Sequence, residues 1–234
     1  MARKKRNVFW EYFESFVVAV VIALVLRTFV IAAYKIPTGS MIPTLKIGDC
    51  LFAWKLPYGV HIPFTHYVLF SPRQPERGDI IVFKYPEDPK ISFVKRVIAG
   101  PGDKIEIRQK RVFVNDKILK YEAVSPSDSQ LKDIPMMELY IVQMETIGTH
   151  RHYVMYRRGE DDDSYGPVVI PDKKLFVLGD NRDSSDDSRS WGLVPFENLE
   201  GRAVLIWCSL DWENRGRRLG FPSLRTERLF SVIY

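Results

Sequence analysis

Ile80-Ile-Val-Phe-Lys-Tyr-Pro-Glu-Asp-Pro-Lys-Ile-Ser-Phe-Val-Lys-Arg-Val-Ile-Ala-Gly-Pro-Gly-Asp-Lys-Ile-Glu-Ile-Arg-Gln-Lys-Arg-Val-Phe-Val114 decides the fold class. Its apolar runs, Ile80 to Lys84, Phe93 to Ile98, Lys104 to Ile107 and Arg111 to Val114, are rich in β-branched and aromatic residues and are separated by Pro, Gly and Asp turns. Runs this short, bounded this way, read as strands, because a helix needs a longer periodic stretch. Moving outward, Cys50 to Trp54, Leu139 to Gln143, His152 to Tyr156, Leu175 to Leu178 and Ala203 to Trp207 repeat the pattern. From Lys35 to Tyr234 no long amphipathic helix stands out, so the expected body is mainly β and not built of βαβ units. Residues 57 to 78, with Pro57, Pro63, Pro72 and Pro75, read as an irregular excursion, and the more polar 120–171 as a smaller inserted β subdomain. The expected organisation is 1–28, then 29–119 with 172–234 as one β domain, interrupted by 120–171.

At 234 residues with 46% hydrophobic and 27% charged residues, the chain can build a core, and disorder or collagen-like repeats are excluded. Its two cysteines, Cys50 and Cys208, form neither a C-x-x-C pair nor a disulfide framework. The net charge of +5 is concentrated in Arg3, Lys4, Lys5 and Arg6, leaving the rest near neutral, which is no footprint for nucleic acid. Arg215, Arg217, Arg218, Arg225 and Arg228 make a basic tail that fits either anionic lipid headgroups or a solvated end.

Behind the basic start comes Phe16-Val-Val-Ala-Val-Val-Ile-Ala-Leu-Val-Leu26, then Arg27-Thr28 and Phe29 to Tyr34. A cleavable signal, a buried core helix and a membrane span compete for it. A signal should end at a small-residue site, yet Ala32-Ala33 lies beyond Arg27 and before bulky Tyr34. A span of about 20 residues can be built from Val8 to Leu26, with Trp10 and Tyr12 in the interfacial belt and Arg27 snorkelling to the far side. Basic residues before the span then put the N-terminus in the cytoplasm and residues from about 28 onward outside it.

Three segments could carry chemistry. Ser40 follows Gly39 in the Pro-bracketed loop Ile36-Pro-Thr-Gly-Ser-Met-Ile-Pro-Thr-Leu45; it is no G-x-S-x-G elbow, and a turn serine is the plain alternative. A nucleophilic serine needs a base. Lys95, in Ile91-Ser-Phe-Val-Lys-Arg-Val-Ile98, shares a strand face with Phe93 and Val97; desolvation there lowers an amine's pKa and supplies a neutral base, unless the side chain snorkels to water. His150 and His152 would share a strand face and offer a metal pair or a triad member, against a default of packing or surface; His61 and His66 lie in the excursion. The third segment, Leu178-Gly-Asp-Asn-Arg-Asp-Ser-Ser-Asp-Asp-Ser-Arg-Ser-Trp-Gly192, is wrong for an EF-hand, but a hydroxyl in it could orient an amine and an Asp/Arg pair could brace the loop.

Together with Arg77-Gly-Asp-Ile-Ile-Val-Phe-Lys-Tyr-Pro86, these segments resemble the bacterial signal peptidase I family, membrane-anchored Ser/Lys endopeptidases that cut signal peptides from exported preproteins. The resemblance covers the anchor and residues 36–49, 77–103 and 178–202 in family order. It implies coiled antiparallel sheets, Ser40 as nucleophile, Lys95 as general base, Ser185 hydrogen-bonded to the lysine amine, and Asp187 with Arg189 as a structural pair. The Ser40 N–H and the Thr38 hydroxyl would hold the oxyanion, Thr38 standing where most members of Gram-negative type have Ser. Ala99 departs from a usual glycine. The resemblance also implies shallow pockets lined by Ile36, Pro37, Met41, Leu45 and Val94 for the small side chains of an A-x-A cleavage signal, and a single-pass protein of the bacterial cytoplasmic (inner) membrane with its catalytic domain on the outer face. It requires no metal or organic cofactor; the implied partners are signal peptides and the lipid bilayer, with no nucleic acid. Competing readings are a self-cleaving repressor-type Ser/Lys protease, an inactive signal-peptide-binding protein and, remotely, a metal hydrolase using His150 and His152.

Overall fold

The first described element is α1 (Val8–Val25), followed by one π turn (Leu26–Val30) that runs directly into β1 (Ile31–Lys35). This computed structural model describes residues 8–59, 73–125, 128, 131, 134, 136–159, 163–215 and 222–233. Readings that rest on Arg3 to Arg6, on His61 and His66, and on the side chains of Arg215, Arg217 and Arg218 lie outside the described residues. Within the 22 residues Phe9–Val30 an 18-residue window has mean hydropathy 2.2 and is 0% buried. A helix that is apolar all round, with none of its span buried among the described residues and only its last turn tied to the body, is not a core helix, which argues against that alternative. The candidate signal cleavage site also fares badly: Ala32 and Ala33 sit mid-strand in β1, paired with Ala53 and Phe52.

The remaining strands are β2 (Asp49–Trp54), β3 (Ile80–Lys84), β4 (Ser92–Ala99), β5 (Lys104–Arg108), β6 (Arg111–Val114), β7 (Lys117–Ile118), β8 (Lys120–Ala123), β9 (Tyr140–Ile147), β10 (His150–Arg157), β11 (Tyr165–Val169), β12 (Lys174–Leu178), β13 (Val194–Pro195), β14 (Leu199–Arg215), β15 (Pro222–Leu224) and β16 (Ser231–Val232). The body is mainly β, and its paired strands are antiparallel. The main sheet runs β1-β2-β14-β3-β4-β12-β13, with β15 and β16 also on β14; β11-β5-β6-β7 and β10-β9-β8 form two smaller sheets. The sheet β8–β10 lies within 120–171, and β11, also within it, pairs with β5 outside it.

Two cores lie next to the loop that carries Ser40. Ile36, Met41, Leu45, Leu51, Ile80, Val82 and Ile233 pack beneath the loop after β1, and Ile81, Phe83, Val97, Leu175 and Val177 fill the other face of β3 and β4. The turn into β3 needs Gly78: its φ is +97°, and a Cβ there would lie 2.6 Å from the His150 ring. Asp79 beside it is buried, accepting from the Glu76 N–H and the Tyr58 hydroxyl. The main sheet also leaves a gap in its pairing. Residues Ser92 to Arg96 pair with β3, but β12 joins β4 only from Arg96 onward, so the first half of β4 is open on one side.

Candidate active site

Ser40 sits in a loop that is folded against its own ends. The Ile36 N–H donates to the Asp49 carbonyl and the Gly48 N–H to the Ile36 carbonyl, while Leu45 N–H reaches back to Met41. Ile36, Met41 and Leu45 are buried and pin the loop to the core, leaving Pro37 and Thr38 exposed and Ser40 half-buried. A second segment grips it from the side. The Asn181 N–H donates to the Ser40 carbonyl at 3.0 Å and its Nδ2 to the Gly39 carbonyl at 3.1 Å.

Lys95, on β4 opposite Ile81, is 3% exposed, and its Nζ donates to Ser40 Oγ at 2.7 Å. The Phe93 ring lies 5.7 Å from that nitrogen. Burial pushes the amine down to about 8, against the opposing pull of Asp187, Asp186 and Asp180. A neutral amine at this distance accepts the Ser40 proton instead of donating, which is the geometry of a general base. The pair lines a cleft of about 500 Å³ together with Tyr34 to Met41, Ile91 to Val94, Tyr140, Asn181, Ser184 and Asp186.

The segment after β12 braces this arrangement. Asp187 caps the short helix α2 (Ser188–Trp191) and takes a fork from Arg189, Nε to Oδ1 and Nη2 to Oδ2, both at 2.8 Å. Its Oδ2 also accepts from the Gly179 N–H, and Arg189 continues to Asp163 and to the Arg182 carbonyl. Gly179 has no room for a side chain: a Cβ would lie 2.5 Å from the Ser40 carbonyl oxygen and 2.2 Å from Ser185 Oγ. Ser185 is thus packed beside the Ser40 backbone, but its buried hydroxyl has no hydrogen-bond partner among the described residues. The bond expected from Ser185 to Lys95 is not formed in this structure, where the amine is engaged with Ser40. Thr38, Ile36, Pro37, Met41 and Val94 all line the cleft. Leu45 does not; it is 0% exposed, and its place is in the core beneath the loop.

Sequence reasoning missed a buried polar layer behind the site. Arg96, next to Lys95, makes a fork to Asp180 at 2.8 and 2.9 Å, and Thr44 donates to the same carboxylate. Burial would raise the Asp180 carboxyl, but Arg96 holds it below the usual range. Arg182 donates to Glu145 on β9 at 2.5 Å, and the His152 Nε2 lies 3.1 Å from the same oxygen. Burial and the neighbouring Arg96 lower the His152 pKa, so its neutral ring donates to Glu145. Glu145 is fully buried, which alone would raise it, yet Arg182 and His152 hold it well below the carboxylate range. His150 packs on Gly78. Among the described residues no group of three or more His, Cys, Asp or Glu is placed to hold a metal ion. Arg225 and Arg228 of the basic tail pair with Asp211 and Asp49. The only sequence signal for this layer was the density of Asp and Arg in 178–192.

The family described as signal peptidase, peptidase S26, matches residues 9–208. Signal peptidase I of Pseudomonas aeruginosa is 35% identical over 210 residues, covering 85% of this chain and 72% of that protein. Signal peptidase I of Rickettsia typhi is 35% identical over 254 residues, covering 96% and 94%. A solved signal peptidase I from Enterococcus faecalis aligns with a TM-score of 0.36 at 26% identity, over 56% of this chain and 97% of that one. With a family match across most of its length and relatives at this identity over most of theirs, the chain belongs to the signal peptidase family, peptidase S26, and is a serine endopeptidase that removes signal peptides.

Proposed function

We propose that the chain is a membrane-anchored peptidase that cleaves after small residues with Ser40 as nucleophile and Lys95 as general base. The 2.7 Å contact between Lys95 Nζ and Ser40 Oγ, at a buried amine lowered to about 8, carries this reading. Lys95 takes the Ser40 proton as Oγ attacks the carbonyl of the last signal-peptide residue, forming a tetrahedral oxyanion. The Ser40 N–H and the Thr38 hydroxyl stabilise that charge. Collapse expels the new N-terminal amine of the mature protein, which takes the proton from the Lys95 ammonium, and leaves an ester on Ser40. Water, deprotonated by the same amine, hydrolyses the ester and restores Ser40. Asp187 and Arg189 hold the loop that carries Ser185 beside this pair.

The substrate lies extended in the cleft, using the open edge of β4 at Ser92 to Lys95 and the chain after β1. Main-chain hydrogen bonds there bind without reading sequence. Ile36, Met41 and Val94 leave space for alanine-sized side chains at alternate positions. The apolar helix Phe9–Val30, unpacked and preceded by Arg3 to Arg6, fits a span with the N-terminus in the cytoplasm. Its chain reaches Ser40 ten residues after Val30, which holds the cleft near the surface where a signal peptide emerges. The test is cleavage of a preprotein with an A-x-A site by the detergent-solubilised protein, beside Ser40→Ala and Lys95→Ala, with the product's N-terminus sequenced. A cut after the final Ala, lost in both variants, supports the proposal; equal cleavage by either variant rejects it.

A further inference from the structure

The two cysteines stand far apart in sequence, yet β2 and β14 set them directly opposite each other: Cys50 and Cys208 are register partners in the antiparallel ladder. Register partners share a sheet face, and their Cα atoms are separated by roughly 4.5 to 5.5 Å. That range falls within the Cα separation a disulfide bridges. On β2 the inward residues are Asp49, Leu51 and Ala53, so Cys50 shares the outward face with Phe52 and Trp54. Both thiols are half-buried and neither is bonded in this structure. The Cys50 thiol is pushed up, by burial first and by Cys208 second, which agrees with the two sulfurs facing each other.

We propose that Cys50 and Cys208 are a modification site, a dithiol that a disulfide-class oxidant converts to one cross-strand disulfide. In the step, one thiolate attacks a sulfur of the oxidant and expels its thiolate. The second cysteine then attacks the protein sulfur of the mixed disulfide and expels the other half. Two electrons pass to the oxidant, whose two departing sulfurs take the two thiol protons. The bond would tie β14 to β2 at the exit of the nucleophile loop, one residue past Asp49, which closes that loop onto Ile36. That such oxidants reach the site in cells rests on the exported placement proposed above; the pairing itself does not.

The experiment therefore reads the pairing alone. The full-length protein in detergent is treated with glutathione disulfide, alkylated, digested without reduction and analysed by mass spectrometry, beside Cys50→Ser and Cys208→Ser. Expected are simultaneous loss of both thiols, a mass lower by about 2 Da for the two hydrogens removed, and one peptide pair linking residues 50 and 208. Each single variant keeps one alkylatable thiol or carries one glutathione. Two separate glutathione adducts on the unmutated protein, an intermolecular link, or two free thiols under conditions that oxidise the unfolded chain would each overturn the proposal.

Discussion

At Lys95 the fold imposes an electrostatic cost that the proposed chemistry uses. A lysine lowered from 10.5 to about 8 binds fewer protons folded than unfolded between those values. Stability therefore rises with pH across that window, and below about pH 8 the protein carries a buried charge at a penalty. Replacing Lys95 by Met should remove the penalty, raising stability at pH 7 by roughly 2 kcal/mol while abolishing cleavage. Denaturant unfolding at pH 7 and pH 10 checks the sign: the variant's advantage should shrink at the higher pH. Thr38 offers a second test. Thr38→Val keeps the shape and removes the donor, so kcat should fall by about 10² to 10³ with KM little changed, while Thr38→Ser should retain most activity. Equal losses in both variants would assign Thr38 to packing.

At the scale of elements, the C-terminal segment holds the Ser40 loop. Arg228 donates to the Thr44 carbonyl and to both oxygens of Asp49, which is fully buried, and Ile233 packs with Ile36, Met41 and Leu45. Arg228→Ala leaves that carboxylate without its cation and should cost about 2 to 3 kcal/mol of stability, with kcat falling more than KM rises. An unchanged melting transition and unchanged kinetics would sink this role. Such links explain what the sequence could and could not tell. Short strands such as Ile80–Lys84 and Ser92–Ala99 were legible because apolar residues and turn signals bound them closely. β1 was hidden in the apolar stretch that begins at Phe16, and β14 extends far beyond Ala203 to Trp207, hidden there because the inward residues that continue it, Ser209 and Asp211, are polar and because its bulges break the alternation. Ser40 and Lys95 had plain local alternatives, a turn serine and a snorkelling lysine, and were singled out by the joint resemblance of their segments, whereas Asn181, Arg96 with Asp180 and Glu145 with His152 are buried by pairing. Charged residues in a sequence look solvated until their partners are known.

Across the whole molecule, three parts converge on one cleft edge: an unpacked apolar helix joined to β1, an open stretch of β4, and a polar layer that docks β9 and β10 behind Asn181. Lys55 Nζ donates to the Thr28 carbonyl, and the Lys55 N–H to the Val30 carbonyl, fixing the helix exit to the end of β2. Protease added to intact spheroplasts should digest the β body, and protease added to sealed inverted inner-membrane vesicles should spare it. The reverse pattern would refute the proposed topology. What unites fold and chemistry is the claim that this packing turns Lys95 into a base. Single-turnover acylation of Ser40 by a signal-peptide substrate, measured from pH 6 to pH 10, tests it most directly, the predicted rise having an apparent pKa of about 8 before a plateau. A rate independent of pH over that range, with acylation limiting, would contradict the account.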